Sequence, residues 1–228
     1  MYFYANSGPI INGDRNNYLN NVTIVMSRII KINNFIILCN FKCGYSSFSA
    51  IEDKIIEPKI KKTDKVVFVY RNIFNRNISV FLNWCYRKNK IDDSWLLVNM
   101  QEKLNSVQFD NFMKLKNSNL VEAYKIFLNN LHLINFKNAH LAEQCKIVNK
   151  LNSKKKISYF INIDDQNNVQ MLNDLISTNL ECYNKSDDNT KKILISFLDN
   201  NEVYKNIIKS KYKNDIIYFN NFNIDICN

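Results

Sequence analysis

The stretch FIILCNFKCGYSS, residues 35–47, decides the fold. Its first part, Phe35 to Cys39, is wholly apolar and rich in β-branched residues. A short run of this kind predicts a strand buried on both faces. It gives way at once to Lys42-Cys43-Gly44-Tyr45-Ser46-Ser47, a turn that holds one of the 3 glycines of the chain. Beyond the turn, SSFSAIEDKIIE places Phe48, Ile51 and Ile55 at helical spacing. Ser46 or Ser47 can cap that helix, Glu52 and Asp53 lie in its early turns, and Pro58 marks its end. Ligands of open α/β sheets sit at the carboxyl ends of strands, where this turn falls. Gly44 lets the backbone approach an anion closely. Lys42 supplies positive charge, and the two serines supply hydroxyl donors beside a helix N-terminus that favours phosphate. An ordinary capped turn would use the same serines, so the stretch alone leaves both readings open. It is not a G-x-x-x-x-G-K-[ST] loop, because the lysine precedes the glycine and a second glycine is missing.

The next segment repeats the design. KVVFVY, Lys65 to Tyr70, predicts a second buried strand, and Arg71 follows directly. After RNIFNR, the run NISVFLNWCYRK predicts a helix with Ile78, Phe81, Leu82 and Cys85 on one face. Ser79 falls within it, Phe74 is placed to pack the turn, and Arg76 adds a second cation. Two strands that each end in a cation, with a hydroxyl following, suit a ligand with two separated phosphates. Residues from about Asp92 to Leu133 read as mostly helical, ISYFINI (157–163) as a third strand, and NNVQMLNDLI as a helix after it. EVYKNIIKSKYKNDIIYF reads as one long terminal helix. No Gly/Ser or Pro linker and no internal repeat divides the chain, so residues 1–228 are expected to form one α/β domain: a P-loop-like parallel sheet flanked by helices, with a helix-rich second half.

The formal net charge is +10, which suits an anionic partner. The chain is also rich in Asn, Ile and Lys, whose codons are AT-rich, so base composition accounts for much of that charge. No RNA-binding or zinc-finger signature is present, and nucleic acid is not expected as a partner. The six cysteines are scattered without a C-x-x-C, and there are 2 histidines, which argues against a zinc site and for reduced thiols. MYFYANSGPI lacks the basic and apolar regions of a signal peptide, and no apolar run is long enough to span a bilayer. A cytoplasmic protein without an integral membrane segment is expected.

The two strand–turn–helix segments resemble a known family. CNFKCGYSS resembles the 5′-phosphosulfate loop of sulfotransferases, commonly P-K-x-G-[ST]-[ST] after a strand. VFVYRNIFNRNISVFLNW resembles their 3′-phosphate motif, commonly [FV]-x-x-R-[DN]-P-[FY]-x-R-x-x-S-x-[FY]. The details are nearest to the carbohydrate sulfotransferases of the Golgi-enzyme type and their bacterial or viral relatives. HLAEQC is similar to the H-[WL]-x-x-Q segment of that branch. ISYFINIDDQNNVQMLNDLI is similar to its strand followed by a helix, and IIKSKYKNDIIYFNNF to its closing Y-x-x-D-x-x-x-[FL] helix. The likeness runs from about Asn34 to Phe222.

The resemblance implies an enzyme that moves a sulfuryl group from 3′-phosphoadenosine 5′-phosphosulfate (PAPS) to a hydroxyl of a carbohydrate or similar acceptor, without a metal. Lys42, Cys43, Gly44, Tyr45, Ser46 and Ser47 would hold the 5′-phosphosulfate, with Lys42 also stabilising charge on the bridging oxygen. Arg71 and Ser79 would bind the 3′-phosphate; a surface ion pair and a helix-interior hydroxyl are their ordinary alternatives. His140, in NAHLAEQ, is the candidate general base, and Glu52 is the second choice. His132 is expected to be structural, and Trp84 and Trp95 to pack in the core. Phe41 and Ile73 stand where the family carries proline. That leaves a second reading, a catalytically inactive relative that binds nucleotide or serves interaction. A small-molecule kinase is disfavoured for want of the Walker pattern.

Overall fold

Ser27–Ile32 (β1) and Phe35–Asn40 (β2) pair antiparallel, with Ile29 opposite Leu38 and Ile32 opposite Phe35. The connection is Asn33-Asn34, and Asn33 takes a left-handed φ of 54°. Asparagine tolerates that region better than other non-glycine residues. A chain so poor in glycine uses Asn33, Ser177 and Asn223 at its positive-φ positions among the described residues. The computed structural model describes residues 27–40, 61–87, 94–134, 141–150, 156–177 and 188–227.

Lys65–Tyr70 (β3) and Ile157–Asn162 (β4) complete a four-stranded sheet in the order β1-β2-β3-β4. β2 pairs parallel with β3, and β3 with β4. The expected parallel core is therefore present, but the sheet as a whole is mixed. β1 escaped the sequence reading because it precedes the apolar run and is read through a glycine-free Asn-Asn turn.

The helices run as α1 (Ile73–Phe81), α2 (Trp95–Lys103), α3 (Ser106–Ser118), α4 (Leu120–Asn129), α5 (Gln166–Ile176), α6 (Asp188–Asp199), α7 (Glu202–Lys211) and α8 (Lys213–Asn220). A 3₁₀ stretch spans Gln144–Lys150. The abundance of asparagine has a structural use here: Asn72, Asn105 and Asn119 cap α1, α3 and α4 by accepting backbone N–H bonds in the first turn. Among the described residues no helix is long and apolar enough to cross a membrane.

Strand alternation divides the core in two. Ile36, Leu38, Val66, Phe68 and Tyr70 face the helical layer that contains α1, α4 and α8. Ile37, Cys39, Val67, Val69 and Ile161 face the other side, where Leu172 and Ile176 of α5 cover them. β2 and β3 are thus buried on both faces, as their uninterrupted apolar runs require.

Three helical expectations change. α1 begins at Ile73 rather than Asn77, because the Asn72 side chain accepts from the N–H groups of Phe74 and Asn75 and starts the helix one turn earlier. DNTKKILISFLD forms α6, which the sequence reading passed over; Leu194 and Leu198 bury its inner face. The long terminal helix is two helices, broken at Tyr212 (φ −105°, ψ 28°), whose side chain is fully buried.

After α1 the chain continues as a π-helical turn, Leu82–Tyr86. The buried ammonium of Lys116 donates to the Cys85 carbonyl at 3.4 Å, a cation at the carbonyl end of a helix. Burial lowers the Lys116 pKa and pushes the Cys85 thiol well up, so this cysteine is chemically quiet.

Candidate functional site

Parallel pairing sets the carboxyl ends of β2, β3 and β4 side by side. Cys39 is opposite Val69, and Tyr70 is opposite Asn162. The chain leaves β2 toward residues 41–47 and leaves β3 through Arg71. Lys42, Cys43, Gly44, Tyr45, Ser46, Ser47, Glu52 and His140 lie outside the described residues, as do the side chains of Trp84 and Trp95.

Arg71 is held by its backbone and by its side chain. The Gln144 side-chain amide takes both backbone groups: Arg71 N–H donates to Gln144 Oε1 at 2.9 Å, and Gln144 Nε2 donates to the Arg71 carbonyl at 2.9 Å. This is the hydrogen-bond pattern that a neighbouring strand would supply, delivered by one side chain. The guanidinium Nε donates to Asp164 Oδ1 at 2.8 Å, across the ends of β3 and β4, with both side chains about 15% exposed. Asp164 itself is fixed by its N–H, which donates to Asn162 Oδ1.

Gln144 is anchored in turn. Its backbone N–H and that of Cys145 donate to the two oxygens of Asp215, at 2.9 and 2.8 Å. Asp215 is fully buried, in the first turn of α8. Burial raises its pKa, against the pull of the Arg76 guanidinium beside it and of the two amides. Arg76 is also fully buried, with its guanidinium 5.4 Å from the centre of the Tyr212 ring. Three segments singled out in the sequence therefore meet: RNIFNR, HLAEQC and the Y-x-x-D helix share one polar network under the end of β3. Asp215 pushes the neighbouring Cys145 thiol up as well, behind burial as the larger cause, to about 12.

Arg76 faces the core rather than solvent or a ligand. Ser79 is nearly buried in the interior of α1, where its Oγ accepts from Asn83 Nδ2 at 3.5 Å. It lies two turns beyond the Asn72 cap and on the same helix face, about 10 Å along the axis from the end of β3. The first amide of α1, Ile73 N–H, donates to the Ile226 carbonyl at 3.0 Å. The proline of the family pattern could not make that bond, so the departure at Ile73 has a local use: it ties the segment after α8 to the start of α1. His132 lies past the end of α4 and is exposed, not within a helix as expected.

Gln144, Asp215 and Asp164 carry roles that were not assigned from the sequence. All three fall inside segments already singled out. Asp164 follows the third strand much as Arg71 follows the second. Among the described residues no cluster of His, Cys, Asp or Glu could hold a metal ion.

The Gln144 clamp gives a clean test. Gln144→Glu keeps the acceptor for Arg71 N–H and removes the donor to its carbonyl. The expected loss is about 1–3 kcal/mol, read from the urea midpoint. Equal stability of the variant and the parent would show that the second bond contributes nothing. No family model, no curated protein and no solved structure matches the chain.

Proposed function

We propose that the protein is a PAPS-dependent sulfotransferase acting on a hydroxyl of a carbohydrate or similar acceptor. One observation supports this reading above the others: two adjacent parallel strands end side by side, one leading into Lys-Cys-Gly-Tyr-Ser-Ser and the other into Arg71 and a helix carrying Ser79. A ligand with phosphates at both ends of a nucleoside suits that spacing. Sulfuryl transfer then needs in-line positioning of the acceptor, charge stabilisation at the bridging oxygen by Lys42, and removal of the acceptor proton by His140 or Glu52.

A second reading, a nucleotide-binding relative without activity, draws on the Arg71–Asp164 ion pair. The Asp164 carboxylate, 2.8 Å from Nε, already takes one edge of the guanidinium, and an incoming phosphate must share or displace it.

Adenosine 3′,5′-bisphosphate at a hundred times its Kd is expected to stabilise the protein by ~2.7 kcal/mol, a shift of roughly 5–10 °C in Tm. ATP at equal concentration is expected to do much less, because it lacks the 3′-phosphate. Arg71→Ala should erase the preference. Equal shifts with both nucleotides would overturn both readings, and transfer of labelled sulfate separates the active from the inactive one.

A further inference from the structure

Asp164 and Asp165 follow β4 side by side in sequence and do different things. Asp165 caps α5: its Oδ1 accepts from the N–H groups of Asn167 and Asn168, and its Oδ2 from Asn168 Nδ2. The Asp164 carboxylate instead accepts from Arg71 Nε at 2.8 Å. The turn that carries it is tightly held. Ile163 N–H donates to the Tyr70 carbonyl at 3.0 Å, a last rung between β3 and β4. Asp164 N–H donates to Asn162 Oδ1 at 3.0 Å, and Asp165 N–H to the Asn162 carbonyl at 3.2 Å. Asn168 Oδ1 accepts from Asn162 N–H at 3.4 Å.

Arg71 is fixed from the other side by the Gln144 amide, which holds both of its backbone groups. With backbone and Nε both tied, the guanidinium plane has a set direction. A lone ion pair at a protein surface contributes little to stability. What this one removes is rotamer freedom, which an arginine must otherwise lose when it binds an anion. The contact is made at Nε. The Nη1–Nη2 edge is a different one, and two parallel N–H groups there match two oxygens of one phosphate.

We infer that Asp164 is a positioning residue for the anion site: its carboxylate keeps Nε of Arg71 and so aims the Nη1–Nη2 edge at a terminal phosphate monoester. This rests on the reading of Arg71 as the ligand of the 3′-phosphate. The pair then acts as a selector. Arginine and aspartate together carry no net charge, so an anion gains little from mere approach. It gains from meeting the fork squarely, which a phosphate at the 3′ position of adenosine can do and the 5′-triphosphate of ATP, with a bare 3′-hydroxyl, cannot.

Adenosine 3′,5′-bisphosphate and ATP are titrated calorimetrically into the parent chain and three variants. Asp164→Ala is expected to weaken bisphosphate binding and to cut the preference for it over ATP by about tenfold, as the guanidinium loses its fixed direction. Asp164→Asn keeps an oxygen acceptor for Nε and should restore most of that preference. Asp165→Asn removes the neighbouring charge but keeps a capping side chain, and should leave the preference unchanged. Tighter bisphosphate binding by Asp164→Ala would show that the carboxylate competes with the ligand, and would overturn the inference. So would a variant that melts lower but keeps its preference, which is what a purely structural pair predicts. Asp164→Asn behaving like Asp164→Ala would overturn it as well, because charge and not direction would then be what Asp164 supplies. These outcomes all leave bisphosphate bound to the parent. No binding to the parent at all would instead overturn the sulfotransferase reading, and the inference with it.

Discussion

Asp215→Ala is expected to lower the unfolding free energy by about 3–5 kcal/mol. The carboxylate accepts from two backbone amides, Gln144 and Cys145, and lies beside the buried Arg76 guanidinium. Alanine leaves both N–H groups without this acceptor and the cation without this counter-charge, each in a site closed to water. For a chain of this length the loss corresponds to a Tm lower by roughly 10 °C. A double variant distinguishes the charge from the hydrogen bonds. Replacing a buried pair by apolar groups is often close to neutral, whereas removing one partner is not. Asp215→Leu with Arg76→Met should therefore be less damaging than the sum of the two single variants, by about 1–3 kcal/mol of coupling. Simple additivity of the two single variants would show that Arg76 and Asp215 do not act as a pair. The Arg71 end of β3 should loosen in step, because the clamp from Gln144 hangs from this carboxylate.

The second large effect concerns turnover and rests on the proposed sulfuryl transfer. His140→Ala is expected to reduce kcat by about 10²–10⁴, the range of general acid–base catalysis, or roughly 3–5 kcal/mol of barrier. Binding of adenosine 3′,5′-bisphosphate should change little, since the base would act on the acceptor and not on the nucleotide. Lys42→Ala should slow turnover and also weaken the nucleotide, because a lysine in the phosphosulfate turn contacts its group before and during transfer. Single-turnover rates and bisphosphate titrations on both variants, with a panel of glycan acceptors, separate the two patterns. Near-normal turnover in His140→Ala would move the assignment to Glu52, the carboxylate close in sequence to the transferred group.

The legible parts of the fold were those written as uninterrupted apolar runs. Phe35–Cys39 and Lys65–Tyr70 could be read because strands covered on both faces need no polar alternation. α5 could be read because its buried Leu172 and Ile176 sit at helical spacing. β1 is an edge strand with lysine between its isoleucines, and its turn lacks the glycine that usually signals a hairpin. The break at Tyr212 was hidden because no proline or glycine marks it; a buried ring and a buried carboxylate three residues later impose it. Of the candidate site, the placement was legible in outline: Arg71 was expected directly after a strand and Ser79 within the following helix, and they lie there. Asp164 was missed because its partnership with Arg71 crosses 93 positions of sequence, and only the parallel pairing of β3 with β4 makes them neighbours.

The chain of contacts from Arg71 to Gln144 to Asp215 also sets an order of events during synthesis. β2 and β3 emerge from the ribosome early, and their apolar runs can pair as soon as they are free. The residue after β3 cannot be locked until Gln144 arrives, 73 positions later, and Gln144 is not fixed until Asp215 follows. The Ile73 amide waits longer still, for Ile226. At about 5–20 residues per second, the gap between Arg71 and Ile226 amounts to roughly 8–30 seconds. Through the first part of that interval a nascent chain has β2 and β3 but neither β4 nor the finished end of β3, so the Arg71 network should lock late, when residues 212–226 dock.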